Sequence, residues 1–243
     1  MSYLRSASVN APVDAEGEGY PFDVPAIRGL GRLELDPRVT FLVGENGSGK
    51  STLLSALALA AGYPPQGGSR NLNDWDDEPE ARVLARALRL VRSPEREPDG
   101  FYLRAESYFN VARELEEING RFIMQRAYGG VPGEMSHGEA FLNLASHRFR
   151  DGGLFFLDEP EAPLSPQRQL ALLSLIDELV LCGSQLIIST HSPILMAYPR
   201  STLYYLSDDG VEKRDYRDTD HFQLTRDFCN HPERYLRHLT EEP

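Results

Sequence analysis

The segment Gly44-Glu45-Asn46-Gly47-Ser48-Gly49-Lys50-Ser51 constrains this chain more than any other, because it fits G-x-x-x-x-G-K-[ST] in full at a strand-to-helix boundary. Before it, Val39-Thr40-Phe41-Leu42-Val43 reads as a buried strand. After it, Ser51 to Ala61 reads as a helix stopped at Gly62. A phosphate settling on a backbone needs a curled run of N–H groups, which glycines permit, and the positive end of a helix. The segment therefore implies a nucleotide-phosphate cradle made by Gly44, Glu45, Asn46, Gly47, Ser48, Gly49, Lys50, Ser51 and Thr52. Lys50 would reach the β- and γ-phosphates, and the Ser51 hydroxyl would hold Mg2+.

The second half of such a site is expected at the end of another buried strand. Leu154-Phe155-Phe156-Leu157 runs into Asp158-Glu159-Pro160. Four apolar residues bury that strand and aim its tip at the carboxyl edge of the sheet, where Asp158 can hold the magnesium shell and Glu159 can polarise an attacking water. A third buried strand, Leu186-Ile187-Ile188, ends at Ser189-Thr190-His191. Strands alternating with helices predict an α/β fold with a largely parallel sheet flanked by helices. Ser165-Pro166 starts one helix, with serine as N-cap and proline at the first helical position. Ser136 starts another, with Glu139 placed to complete a capping box. Phe101–Leu103 is expected as a strand, 109–118 as a helix, and Asp208-Asp209-Gly210 as a hairpin turn. Glu80 to Arg92 reads as an amphipathic helix with Arg82, Arg86, Arg89 and Arg92 on one face. Residues 1–19, small, polar and acidic, read as a mobile arm.

At 243 residues the chain fits one large domain or one domain with a modest insertion. No stretch approaches the roughly 20 apolar residues that span a bilayer, and the start has no apolar core of the signal-peptide kind. Two cysteines are too few for a disulfide framework. A cytoplasmic chain without membrane insertion is the expectation. The net charge of −12 argues against a surface devoted to nucleic acid. The arginine stripe could still meet DNA or an acidic partner, or simply be a solvated helix face.

The motifs together resemble those of ABC-class ATPases. LFFLDEPE is similar to their Walker B segment, and Met135-Ser136-His137-Gly138-Glu139 to their signature motif, 22 residues before Asp158. His191, 33 residues after Asp158, resembles their switch histidine. The resemblance implies a P-loop NTPase domain over 20–243, with a small helical subdomain within about 64–150. It also implies ATP and Mg2+ as ligands, and catalytic roles for Lys50, Glu159 and His191. Ser136 and Gly138 would meet the γ-phosphate held by a second copy, giving an ATP-dependent head-to-tail homodimer. Tyr20 or Phe22 would stack on adenine, or else anchor the first strand.

Three departures separate the chain from the transporter version: SHGE in place of SGGQ, Ser165 where an aspartate is common, and no clear Q-loop glutamine, for which Glu106 is a candidate substitute. They point to the soluble branch with RecF-like and chromosome-maintenance heads, closest to compact bacterial AAA/ABC-type ATPases carrying GENGSGKST, MSHGE and LDEPEA-LSPQRQ. Only 85 residues separate Lys50 from Ser136, without sustained heptads, so no long coiled-coil arm fits between them. The expected work is on DNA or a partner protein, in repair or defence. The alternatives are the ATPase subunit of a membrane transporter and a slow nucleotide-dependent switch.

Overall fold

A computed structural model of the chain describes residues 2–9, 19–70, 79–105, 108, 120, 130 and 134–239. Six strands form the central sheet, in the order β5 (Gly100–Arg104), β6 (Leu154–Asp158), β7 (Gln185–Ser189), β3 (Val39–Gly44), β8 (Ser201–Ser207) and β9 (Gly210–Lys213). The first five run parallel, and β9 returns antiparallel through the expected hairpin, pairing Ser207 with Gly210. Parallel strands are covered on both faces and so are apolar throughout. Every residue of β3, β6 and β7 is accordingly buried.

Side-chain alternation divides the core in two. Phe41, Val43, Phe155, Leu157, Leu186 and Ile188 pack with Phe141 and Leu144 of α4 (His137–Arg148) and with Leu172 and Ile176 of α5 (Pro166–Leu181). Leu42, Phe156 and Ile187 pack on the other face with Leu53, Leu54 and Leu57 of α2 (Lys50–Ala61). The fold is therefore α/β, a mostly parallel sheet flanked by helices. α2 also meets a second, antiparallel sheet of β2 (Arg32–Glu34), β1 (Leu4–Val9) and β4 (Leu88–Arg92), whose Leu4, Ala7 and Leu33 share the same core. A helix covered on two sides has no polar face to keep, which explains why Ser55 is the only polar residue from Leu53 to Ala61.

Two expectations need correction. Residues 4–9 are not a mobile arm: they form the middle strand of the small sheet, with Leu4 and Ala7 fully buried. Their small polar residues hide a strand whose two neighbours lie far away in sequence. The helix expected over 80–92 ends early, as α3 (Pro79–Ala87), and Leu88–Arg92 becomes β4 because β1 offers it a backbone edge to pair with. The four arginines thus share no helix face. Arg82 and Arg86 lie on α3, while Arg89 and Arg92 lie on β4, where Arg92 donates to the Ala60 carbonyl at 3.1 Å.

Of the span expected to hold a helical subdomain, β4 and β5 belong to the two sheets and α4 packs on α5. The helix expected over 109–118 and the candidate Glu106 lie outside the described residues. The remaining α-helices among the described residues are α1 (Pro25–Arg28), α6 (Pro193–Met196), α7 (Asp220–Asn230) and α8 (Pro232–Leu239). Among the described residues no helix is long and apolar enough to cross a membrane.

Candidate functional site

Three strand ends on the carboxyl edge supply the site. The phosphate loop follows β3, Asp158 and Glu159 close β6, and His191 follows β7. Strand β7 stands between the other two, with Ser189 level with both Leu42 and Asp158, so His191 emerges between loop and carboxylates. In open parallel sheets this edge is where ligands bind.

The loop has the backbone that a phosphate cradle needs. Gly44, Gly47 and Gly49 have φ of 157°, 82° and 93°. At Gly44 a side chain is excluded by space as well, since a Cβ would come within 2.3 Å of the Leu206 carbonyl oxygen. Lys50 is buried, and its ammonium donates to the Glu45 carbonyl at 2.9 Å. Burial lowers its pKa, against the opposing pull of Glu159, Asp158, Glu45 and Glu161. The Ser48 hydroxyl is buried with no hydrogen-bond partner among the described residues. A polar atom waiting in a glycine cradle fits a phosphate oxygen. Tyr20 reaches the start of α2, its hydroxyl 2.5 Å from Thr52 Oγ1, whereas Phe22 packs towards Ile27.

Beside the loop, a cleft of about 630 Å3 is lined by Ser51, Arg104, His137, Asp158, Glu159 and Pro163, among others. Ser51 and Asp158 offer a hydroxyl and a carboxylate, hard oxygen donors of the kind Mg2+ takes alongside substrate phosphates. Asp158 Oδ1 accepts from the Ser189 hydroxyl at 2.5 Å, which aims it, and Arg104 Nε lies 3.9 Å from Oδ2.

Glu159 is the only non-glycine described residue with positive φ, at 47°. Its N–H donates to the Ser189 carbonyl at 3.1 Å, which holds the turn. Such a conformation costs about 1 kcal/mol or more in a non-glycine residue, and it persists where the surroundings impose it. It leaves the carboxylate 3.4 Å from His191 Nε2. His191 is fixed from behind, its N–H donating to Glu161 Oε1 at 2.6 Å. Burial raises the Glu161 pKa.

Burial, reinforced by Lys50 and by a second histidine, His221, lowers the His191 pKa from 6.5 to about 4. The ring is therefore neutral at physiological pH and can donate from only one nitrogen. An NMR titration of the nucleotide-free chain is expected to show this midpoint near 4; a midpoint at or above 6.5 would contradict it. The sign for stability follows. The folded state disfavours the protonated ring, so this contribution is intact above pH 6.5 and is lost as pH falls from 6.5 towards 4.

Ser136 caps α4 as expected. Its hydroxyl accepts from the Glu139 N–H at 3.4 Å, and Glu139 Oε2 accepts from the Ser136 N–H at 3.1 Å, completing the capping box. The residue is exposed, but its hydroxyl is engaged by Glu139 Oε2 at 2.6 Å and by Arg168 Nη1 at 3.0 Å. Gly138 is buried, and a Cβ there would meet Arg168 Nη1 at 2.6 Å and the Pro163 carbonyl at 2.8 Å. Arg104 carries no motif and escapes sequence reasoning, and Arg168 lies in the LSPQRQ segment without a role assigned to it there. Ser189 and Glu161 lie inside the motif windows and could have been suspected.

Comparison with known proteins agrees with this geometry. One family described as "AAA domain" matches residues 27–125, and a second, described as "AAA domain, putative AbiEii toxin, Type IV TA system", matches 89–197. The energy-coupling factor transporter ATP-binding protein EcfA2 of Streptococcus sanguinis (strain SK36) is 28% identical over 214 residues, covering 80% of this chain and 76% of the relative. These matches make the chain similar to ATPases of the AAA and ABC types, and ATP hydrolysis is the activity they support. The EcfA2 of Methanospirillum hungatei JF-1 is 26% identical over 206 residues, 79% of this chain, which spans about half (51%) of that protein. A solved structure described as "An inward-facing conformation of a putative metal-chelate type ABC transporter" has a TM-score of 0.51 at 16% identity, covering 93% of this chain and 88% of the other. At that identity it speaks for the fold alone.

Proposed function

We propose that two copies of the chain close head to tail around two molecules of Mg-ATP, and that hydrolysis reopens them. The observation that carries this reading is the meeting, at one sheet edge, of a glycine cradle, Lys50, the Ser51–Asp158 pair, and Glu159 beside a neutral imidazole. In this reading the loop from Gly44 to Thr52 holds the phosphates, and Lys50 turns from the Glu45 carbonyl to β- and γ-phosphate oxygens. Ser51 and Asp158 would hold Mg2+, which when bound draws charge from the phosphate oxygens. Glu159 accepts a hydrogen bond from a water and orients it for in-line attack, and His191 steadies the γ-phosphate.

Ser136 and Gly138 of the opposite copy then cover the γ-phosphate with the first N–H groups of α4. N-capping and anion binding draw on the same groups, so the Ser136 hydroxyl must leave Arg168 as the dimer closes. Closure is a ligand-driven population shift whose driving energy is the higher affinity of the closed state for ATP. The work that it performs is on DNA or a partner protein, a reading supported by the SHGE signature and Ser165, two departures from the transporter pattern. A second reading, the ATPase subunit of a membrane transporter, is favoured by the EcfA2 relatives. Stimulation of turnover by DNA supports the first, and co-purification with a membrane protein the second.

A mixing experiment tests the shared site. Lys50→Ala and Ser136→Arg are each expected to be inactive alone. In a mixed dimer one of the two composite sites has both halves intact, so equal mixing should recover about a quarter of wild-type turnover. Mixtures that stay inactive, although both variants fold, would count against the composite site.

A further inference from the structure

His221, a residue that the proposed reaction leaves without a role, touches two elements of the site. It lies in the first turn of α7, and its Nε2 is 2.9 Å from His191 Nδ1 and 4.0 Å from Glu45 Oε1. The two rings are 5.1 Å apart at 52°, and the His221 side chain is only 13% exposed. The start of α7 is anchored. Fully buried Thr219 caps it, accepting from the Phe222 N–H at 3.4 Å and donating to the Tyr216 carbonyl at 2.6 Å. Asp220 accepts from the Tyr205 hydroxyl of β8 at 3.0 Å. The imidazole is therefore held against His191 by helix and sheet together.

Two ring nitrogens at that distance need one proton between them. Were it on His191 Nδ1, a neutral His191 would have a bare lone pair on Nε2, 3.4 Å from Glu159 Oε1, and two acceptors would face each other. Were it on His221 Nε2, that N–H would donate to His191 Nδ1, near the Glu45 carboxylate. His191 would then carry its own proton on Nε2, on the side that faces Glu159. Only the second arrangement avoids opposing two acceptors, and it leaves the His191 Nε2–H without a hydrogen-bond partner among the described residues, free for a phosphate oxygen. Burial lowers the pKa of both rings, so neutral forms are the ones to consider.

We propose that His221 is a positioning residue that locks His191 in its Nε2–H tautomer, so that the donor needed at the γ-phosphate is already in place before ATP arrives. The proposal rests on the reading of His191 as a γ-phosphate contact. It ties the α7 helix to hydrolysis: movement of that helix would release the ring and slow turnover without touching the phosphate loop. Partners one step behind a functional histidine set its tautomer in this way.

The test compares His221→Leu, which removes the donor, with His221→Gln, whose amide can donate from nearly the same place. Nitrogen-15 NMR of the nucleotide-free wild type should show His191 protonated on Nε2. His221→Leu should show a mixture of tautomers, and His221→Gln should restore the wild-type form. Turnover should fall about tenfold in His221→Leu with KM for ATP within about twofold, and most of it should return in His221→Gln. Thermal unfolding identifies any variant that fails to fold, in which case the wild-type tautomer decides. An Nδ1–H tautomer in the wild type, or an unchanged His191 spectrum in folded His221→Leu, overturns the proposal. If His191→Ala hydrolyses ATP at the wild-type rate, the γ-phosphate reading fails instead, and the tautomer spectra still decide what His221 does.

Discussion

Glu159→Gln is expected to slow phosphate release at least about a hundredfold, the scale on which a positioned base acts, while ATP still binds. The substitution keeps the shape of the side chain, and the bond that fixes the turn comes from the main-chain N–H of residue 159 to the Ser189 carbonyl, so the fold should be undisturbed. Glu159→Gly separates chemistry from structure more sharply. Glycine adopts a φ of 47° without steric cost, so this variant should be at least as stable as the wild type and equally unable to turn over. Single-turnover phosphate release and thermal unfolding, run on the same preparations, check both halves. A slow variant that has also lost several degrees of stability would mean that Glu159 shapes the site instead of acting in it.

The largest expected effect on stability comes from Gln185→Leu. Gln185 is fully buried at the start of β7, and its amide accepts from the N–H groups of Tyr3 and Leu4 at 2.8 and 2.9 Å. It also donates to the carbonyls of Leu4 and Asp36, at 2.8 and 2.9 Å. Leucine fits the volume but leaves two donors and two acceptors without this partner, at about 1 kcal/mol or more each, so a loss on the order of 4 kcal/mol is expected. Chemical denaturation measures it. A loss under about 1 kcal/mol would mean that water or a shifted backbone replaces the amide.

Gln185 also shows where sequence reasoning stopped. The meeting of the loop, the Asp158–Glu159 pair and His191 was legible because buried parallel strands announce themselves as apolar runs, and each run here ends at the same sheet edge. The caps at Ser136 and Ser165 were legible because capping is a local code. By contrast, β1 (LRSASV) has no long apolar run, its partners lie at 32–34 and 88–92, and the amide that anchors it comes from a residue 181 positions away. The α3–β4 junction was misread for the same reason, since an amphipathic helical period runs through Leu88–Arg92 until a sheet edge claims the backbone. His221 had no motif at all. Only the folded chain brings it to His191, 30 positions earlier.

The central claim, closure of two copies around ATP, is most directly tested by the solution mass of Glu159→Gln with and without Mg-ATP. Closure around ATP predicts a monomer that becomes a dimer when Mg-ATP is added, and a Ser136→Arg, Glu159→Gln double variant that binds Mg-ATP and remains monomeric. A Glu159→Gln chain that binds Mg-ATP and stays monomeric would contradict it.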